Sequence, residues 1–435
     1  MADLNQGTSA SFNEMLKQYL PHKLLSDEII KRDYFLQRVA KDQNWKGGQL
    51  QVPFVGANAS SVAIGALPTA TDISEDVFVR GTVDNYKELW GSMVFNQKDL
   101  DEHKSLEASF LSILPDRIDV FAQTMKESLS SALLSGANID VCGAEHASSA
   151  DGVLNVSRPE MFQIGQKIFV STGSGAINNL GASDKSGYVV AIDLNGGTIT
   201  VAASRGGSAT GNDTAGCETR NIYPEGAVDG SGNEVSTDIF TSLPSQLLSS
   251  TNGGSATCFG QTKTLYPHLQ AYNTSGQALD GSMLAADVAN DHLLKIFDTQ
   301  TTVRRLGRGN PSEAVMSYKN LAVCMKELEG NRQYQADVSK ASRYGWTEIQ
   351  VVGVKGALKL VGVPEMLDDK IFILDFDSMK LHSNGFVERR EAPDGKQFYE
   401  TRAIAGYSYI LDHRFYGDLV VNKPSNNAVI HSISF

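Results

Sequence analysis

The sequence predicts an α+β fold divided into several lobes. Three observations carry that reading. One long helical stripe lies near residues 100–135, period-two blocks flank it and return near the C-terminus, and 435 residues are long for a single compact core. Apolar residues at 41% and charged residues at 20% give an ordinary globular balance, which argues against wholesale disorder.

Taken in order, the chain opens with two short helical patterns between Phe12 and Val39, in which Leu24, Leu25, Ile29 and Ile30 are followed by Tyr34, Phe35 and Val39. Isolated helices this short are marginal in water, so they need a surface from the same chain or a neighbour, and the segment reads as an arm. From Gly47 to about Glu88 the period changes to two: Leu50, Val52 and Phe54 share one face and Val77 and Val79 another, with the turn-rich GALPTAT between them. This is a long open hairpin with Pro53 marking an edge, and it carries too little core to stand alone.

Residues Leu100 to Ser135 form the clearest helix. Leu106, Phe110, Leu114, Ile118, Phe121, Met125, Leu129 and Leu133 recur at steps of three or four, and Gly136 stands as the stop. Pro115 lies inside it and is expected to kink or split it. The stripe itself is core; the unusual feature is its length.

Glycine, 40 residues in all, concentrates between Gly136 and Gly281, where turns and short strands are expected. KIFVST, GYVVAIDL and GTITVAAS are strands, the last two joined at Asn195-Gly196-Gly197, which predicts a small β-barrel or sandwich. Between Ile239 and Ser383 the periods mix. Leu284, Val288, His292, Leu293 and Ile296 point to a helix, and TEIQVVGV, ALKLVGV and KIFILDFDSMKL to strands, several of them apolar enough to be buried on both faces. The tail from Gln397 to Phe435 is strand-rich, with YSYILD, DLVVN and AVIHSISF.

The formal net charge of −12 and the lack of a basic stripe argue against a protein that grips nucleic acid by its phosphates. The densest basic cluster, Arg304, Arg305 and Arg308, is placed in a glycine-containing loop and reads as a flexible or subunit-contact segment. Cys142, Cys217, Cys258 and Cys324 have no metal-ligand spacing and read as free thiols of a reducing compartment. No signal peptide and no apolar run of membrane-spanning length is expected. The eight histidines form no metal motif, and no phosphate loop or nucleophile elbow occurs. Asp375 and Asp377 alternate on a predicted strand without a third ligand, a structural pattern. The expectation is therefore a non-enzyme with no catalytic residues, no cofactor and no metal.

This order of parts resembles the major capsid proteins of tailed phages with the Hong Kong 97 type of shell fold. The resemblance rests on the arm, on the hairpin QLQVPFVGANASSVAIGALPTATDISEDVFVRG and on the long helix. Phrases add to it: LWGSMVFNQKDL at the hairpin exit, VVGVKGALKLVGVPEMLDDKIFILDFDSMKL late in the chain, and the closing RFYGDLVVNKPSNNAVIHSI. The segment from FQIGQKIFV to TITVAAS is similar to the small β-rich insertion of some members.

The resemblance implies an arm over residues 1–46, an extended hairpin over 47–99, and a spine helix with the start of a peripheral domain over 100–154. It further implies an inserted β-rich domain over 155–226, an axial domain with part of the peripheral domain over 227–385, and a return to the peripheral domain over 386–435. An outward position of the inserted domain is expected because an extra lobe is easier to place there than against packed DNA. It implies a subunit that forms homo-pentamers and homo-hexamers and encloses double-stranded DNA without sequence-specific binding. A separate scaffolding protein, a portal and a decoration protein are the implied partners, the virion the implied location, and host cytoplasm the site of assembly. The shell of a cellular encapsulating compartment, or a phage tail or decoration protein, is the alternative. Expected intersubunit contacts are Phe54, Val62, Ile64, Leu67, Val77 and Val79 in the hairpin and Arg304, Arg305 and Arg308 near a ring axis. Expected hinges are Gly47, Gly48 and Pro115.

Overall fold

The computed structural model describes residues 29–30, 32–43, 45, 48–55, 78–84, 87–96, 107–136, 138–143, 152–170, 186–208, 220–224, 240–252, 254–275, 292–306, 309–329, 349–353, 356–389, 398–403 and 406–433. A short helix α1 (Tyr34–Arg38) leads into β1 (Ala40–Asp42), β2 (Gln49–Val55), β3 (Phe78–Asp84) and β4 (Lys87–Asn96). The long helix α2 (Glu107–Ser135) follows, then β5 (Asp140–Val141), β6 (Val153–Asn155), β7 (Lys167–Val170), β8 (Ser186–Asp193), β9 (Thr198–Ala202) and β10 (Asn221–Pro224). Helix α3 (Leu243–Leu247) precedes β11 (Thr257–Cys258), β12 (Gln261–Thr262) and β13 (Tyr272–Ser275). Helix α4 (His292–Leu306), β14 (Glu313–Met316) and helix α5 (Tyr318–Glu329) come next. Strands β15 (Ile349–Gly353), β16 (Gly356–Gly362), β17 (Ile371–Leu374), β18 (Met379–Arg389), β19 (Tyr399–Ala403), β20 (Gly406–Val421) and β21 (Ala428–His431) complete the chain.

Local chemistry explains several boundaries. Asp33 caps α1, its Oδ1 accepting the Leu36 N–H at 2.7 Å. Helix α2 runs 29 residues, about 43 Å at 1.5 Å per residue, and is continuous through Pro115. It stops at Gly136, whose φ of +74° is the left-handed conformation that ends helices. The β8–β9 turn is set by Asp193, whose Oδ1 accepts the Asn195 and Gly196 N–H groups at 3.0 and 2.9 Å.

The chain divides into two compact units. The first joins residues 1–50, 85–130 and 380–420. Its sheet runs β1-β18-β20-β19, with β4 also paired to β20. Strand β4 lies antiparallel to β20 over ten residues, from Lys87 opposite Gly417 to Asn96 opposite Ser408. Helix α2 packs on this pair at Gly91, where a Cβ would strike the Met125 sulfur and stand 2.8 Å from the Phe121 ring. The Phe121 ring in turn lies 5.2 Å from that of His413 on β20.

The N-terminal segment finds its surface in the same unit. Ile29, Phe35, Leu36, Val39 and Trp45 are fully buried, β1 pairs in parallel with β18, and Arg32 bonds Asp119 of α2 at 2.8 Å. Residues 1–28 lie outside the described residues.

The second unit joins residues 51–84, 131–379 and 421–435. Six strands in the order β5-β10-β7-β8-β9-β6 are closed into a barrel by the antiparallel bridge from Cys142 to Val156 and by the Gly143 N–H to Asn155 carbonyl bond. Ile168, Val170, Val189, Ile199, Val201 and Ile222 fill its core. Two of the six strands, β5 and most of β6, precede residue 155.

A second sheet of six strands, β13-β21-β17-β14-β16-β15, mixes parallel and antiparallel pairs. Its strand β17 is buried throughout, as its unbroken apolar run leads one to expect, and so is β14, which was not expected and which buries Glu313 as well. Helices α4 and α5 cover it through Ile296, Val303 and Cys324.

Two expectations are corrected. Arg304 and Arg305 belong to the last turn of α4 rather than to a loop, because the apolar stripe through Ile296 continues to Val303. Their charges sit where a helix C-terminus favours cations. KIFILDFDSMKL is two strands, not one: Asp375 caps a single 3-10 turn, Phe376–Ser378, between β17 and β18.

Candidate functional site

Among the described residues, no group of three or more His, Cys, Asp or Glu side chains is placed to hold a metal ion. The Asp375 carboxylate is spent on structure, accepting the Asp377 N–H at 3.3 Å and the Asn426 amide at 3.0 Å. No described helix is long and apolar enough to cross a membrane. Features fit for contact with other molecules lie at the hairpin, on the β4–α2 face and at the end of α4.

At the root of the hairpin, β2 pairs with β3. Phe54 and Val79, expected at a subunit contact, are instead buried within their own unit, Phe54 completely. The Phe54 ring stacks on Phe259 with centroids 5.6 Å apart, and it fits only because residue 81 is glycine. Phe78, not among the expected contacts, is the large apolar side chain among the described residues that faces outward here, 70% exposed. Val62, Ile64, Leu67, Val77 and Gly47 lie outside the described residues. Gly48 is exposed, with open space around its Cα.

In the first unit, β4 and α2 border an open groove of about 680 Å³. Val94 and Val120 on its rim are 55% and 66% exposed. Beside them the outer face of β4–β20 carries a cross-strand ladder. Trp90 stands opposite Arg414 and Glu88 opposite Tyr416, and the Ser92 hydroxyl donates to Asp412 at 2.6 Å. The Arg414 guanidinium lies 4.5 Å from the Tyr416 ring and 5.9 Å from Trp90.

At the end of α4, Arg304 donates to the Asn310 side chain at 3.0 Å and Arg305 is exposed. Arg308 lies outside the described residues. Arg304 and Arg305 are thus neighbours on one helical turn.

Sequence reasoning missed Phe259, Gly81 and the Trp90–Arg414 ladder. Gly260 was a weak turn signal, but the Phe before it is not a residue that marks two-residue hairpin turns. The ladder carried no local signal, since it depends on a register between residues more than 300 positions apart.

No family model and no curated protein matches the chain. Among solved structures, the chain is similar to the cyanophage A-1(L) capsid asymmetric unit at 10% identity, over 92% of this chain and 91% of that one, with a TM-score of 0.46. It is similar to a chain of the satellite phage P4 procapsid, which includes a size determination protein, at 13% identity, 99% and 98% coverage and a TM-score of 0.40. A chain in the capsid of a native GTA particle is 10% identical over 92% and 90%, with a TM-score of 0.42.

Proposed function

We propose that this chain is the shell-forming subunit of a tailed-phage head, a major capsid protein that assembles into pentamers and hexamers around double-stranded DNA. The observation that carries the reading is the order in which the chain spends its elements. The first unit is assembled from the start, the middle and the late part of the chain. A paired hairpin root comes between the first two stretches, the middle stretch holds most of the 29-residue helix, and a second unit with a helix-covered sheet follows before β18 to β20 return to the first unit's sheet. The resemblance in the sequence implies this succession of arm, hairpin, spine helix, lobes and return.

In this reading the first unit is the peripheral lobe, the mixed sheet with α4 and α5 is the axial lobe, and the closed barrel is the added domain. The outer hairpin, with Phe78 and the apolar Val62, Ile64, Leu67 and Val77, makes contacts between subunits. So do Arg304, Arg305 and Arg308, near a ring axis. Gly47, Gly48 and Pro115 absorb the difference between five-fold and six-fold settings. Scaffolding protein, portal and decoration protein are the partners of such a subunit, and its acidic charge suits a wall that releases DNA.

The test is size-exclusion chromatography with negative-stain electron microscopy on the chain expressed alone and with its genomic neighbours. Closed polyhedral particles or rings of five and six are expected. A monomer or dimer under every condition would overturn the reading.

A further inference from the structure

The short β11–β12 finger is joined to both strands of the hairpin root. Its Phe259 stacks on Phe54 of β2. On β3, the Thr82 N–H donates to the Phe259 carbonyl at 3.1 Å, and the Gln261 side chain donates to the Arg80 carbonyl at 2.8 Å. The slot for the Phe54 ring has no slack: a Cβ on residue 81 would overlap the ring and stand 3.1 Å from the Phe259 Cβ. A ring in so tight a slot is either in or out, since packed interiors switch between arrangements rather than deform smoothly.

The turn that presents Phe259 is itself unusual. Phe259 and Gly260 have φ of +48° and +82°, the two left-handed residues that a two-residue hairpin loop demands. Glycine, asparagine or aspartate takes the first of these positions with ease. An aromatic residue holds it only where its surroundings over-determine it. Here those surroundings are the stack on Phe54 and the bond from Thr82.

We propose that the Cys258–Gln261 turn is a latch that clamps the root of the β2–β3 hairpin through the Phe54–Phe259 stack, and that withdrawal of Phe54 from its slot is the step that frees the hairpin. The reason a hairpin needs a latch rests on the shell-subunit reading, in which this element meets different neighbours. The latch itself is a property of the single chain. With the ring in, the stack and two hydrogen bonds hold the root against the finger. With the ring out, Phe259 loses what keeps it left-handed, so the turn relaxes together with the root.

Hydrogen exchange followed by mass spectrometry on the full, unassembled chain tests this with Gly81→Ala and Phe259→Gly. Gly81→Ala expels Phe54, while Phe259→Gly removes the ring and suits the turn's backbone. In both, the amides of Val52, Phe54, Val55 and residues 79–84 are expected to exchange at least ten-fold faster, with those of Ile371–Leu374 unchanged. Phe259→Tyr, which keeps the stack, is expected to exchange like the parent. Unchanged exchange at the root in either variant would overturn the latch. An equal gain at Ile371–Leu374 would also overturn it, because the two rings would then belong to the global core. Electron microscopy of the same samples scores shell formation separately, so a chain that forms no shells leaves the exchange result standing.

Discussion

Arg158 is the residue on which the barrel's attachment to the rest of its unit turns. It is buried, its guanidinium donates to the carbonyls of Ile139 and, at 2.9 Å, Met366, and its backbone N–H donates to Asp140 at 2.6 Å. Burial pushes the Asp140 carboxyl above the ordinary range, against the pull of Arg158. Arg158→Ala would leave two carbonyls without their donor and take the guanidinium from beside Asp140, which keeps its backbone N–H donors, and is expected to cost about 3 kcal/mol in urea unfolding. A loss below about 1 kcal/mol would mean that water replaces the guanidinium at no penalty.

Lys263 contributes to the pH dependence on the alkaline side. Its ammonium donates to the Ser245 and Leu248 carbonyls at 2.8 and 2.9 Å, and burial lowers it to about 8, partly offset by the neighbouring Cys258, which burial pushes up to about 12. A lysine depressed on folding holds fewer protons folded than unfolded from about pH 8 up to its ordinary value of 10.5, so stability rises over that window. The thiol acts oppositely from 9.0 to about 12, where the folded chain holds the extra proton. Stability is therefore expected to rise from pH 8 to 9, to level off, and to fall above 10.5. Urea midpoints in Lys263→Met should rise less than in the parent, since Lys41 and Lys295 are lowered by burial as well; a parallel pH profile in the variant would contradict the assignment.

At the scale of elements, the seam between β4 and α2 is close enough to exclude a side chain at residue 91. Gly91→Val would drive two methyls into Met125 and Phe121, and overpacking of this kind costs about 1–3 kcal/mol. A lowered thermal midpoint with retained helix content is expected; an unchanged midpoint would mean that the helix moves away without cost. This seam also shows what was legible beforehand. The helix was plain from its own stripe, Phe121, Met125, Leu129 and Leu133, and its end was plain from Gly136. The β8–β9 hairpin was equally plain from Asn195-Gly196-Gly197. Elements whose pattern is shorter than a helical turn or a strand pair were not: β5, β6 and β11 to β13 have two to four residues each, and their partners lie elsewhere in the chain or, for β11 and β12, across a two-residue turn. Helix α5 was overlooked although Leu321, Cys324 and Met325 keep helical spacing, because charged Lys319, Lys326 and Glu327 interrupt its apolar run. Of the candidate contacts, Phe54 was misjudged for a physical reason. A period-two strand says which side chains share a face, but only the tertiary fold says that Phe259 already covers that face.

For the whole molecule, the account is that one chain offers surfaces completed by copies of itself. Its described residues leave Phe78, Val94 and Val120 largely in water, while the N-terminal segment from Ile29 to Trp45 is satisfied at home. A subunit that uses the same surfaces in rings of five and of six needs rigid units and a few yielding joints. The buried strands β14 and β17 and the closed barrel supply rigidity, and the hairpin root and the Pro115 region are the proposed joints. The measurement that tests this most directly is a cryo-electron microscopy reconstruction of particles formed by the chain. The account predicts this subunit in both five-fold and six-fold settings of a closed shell, its two units superposing between settings and its hairpin differing in angle. An open tube, a single ring type, or subunits whose cores differ as much as their hairpins would contradict it.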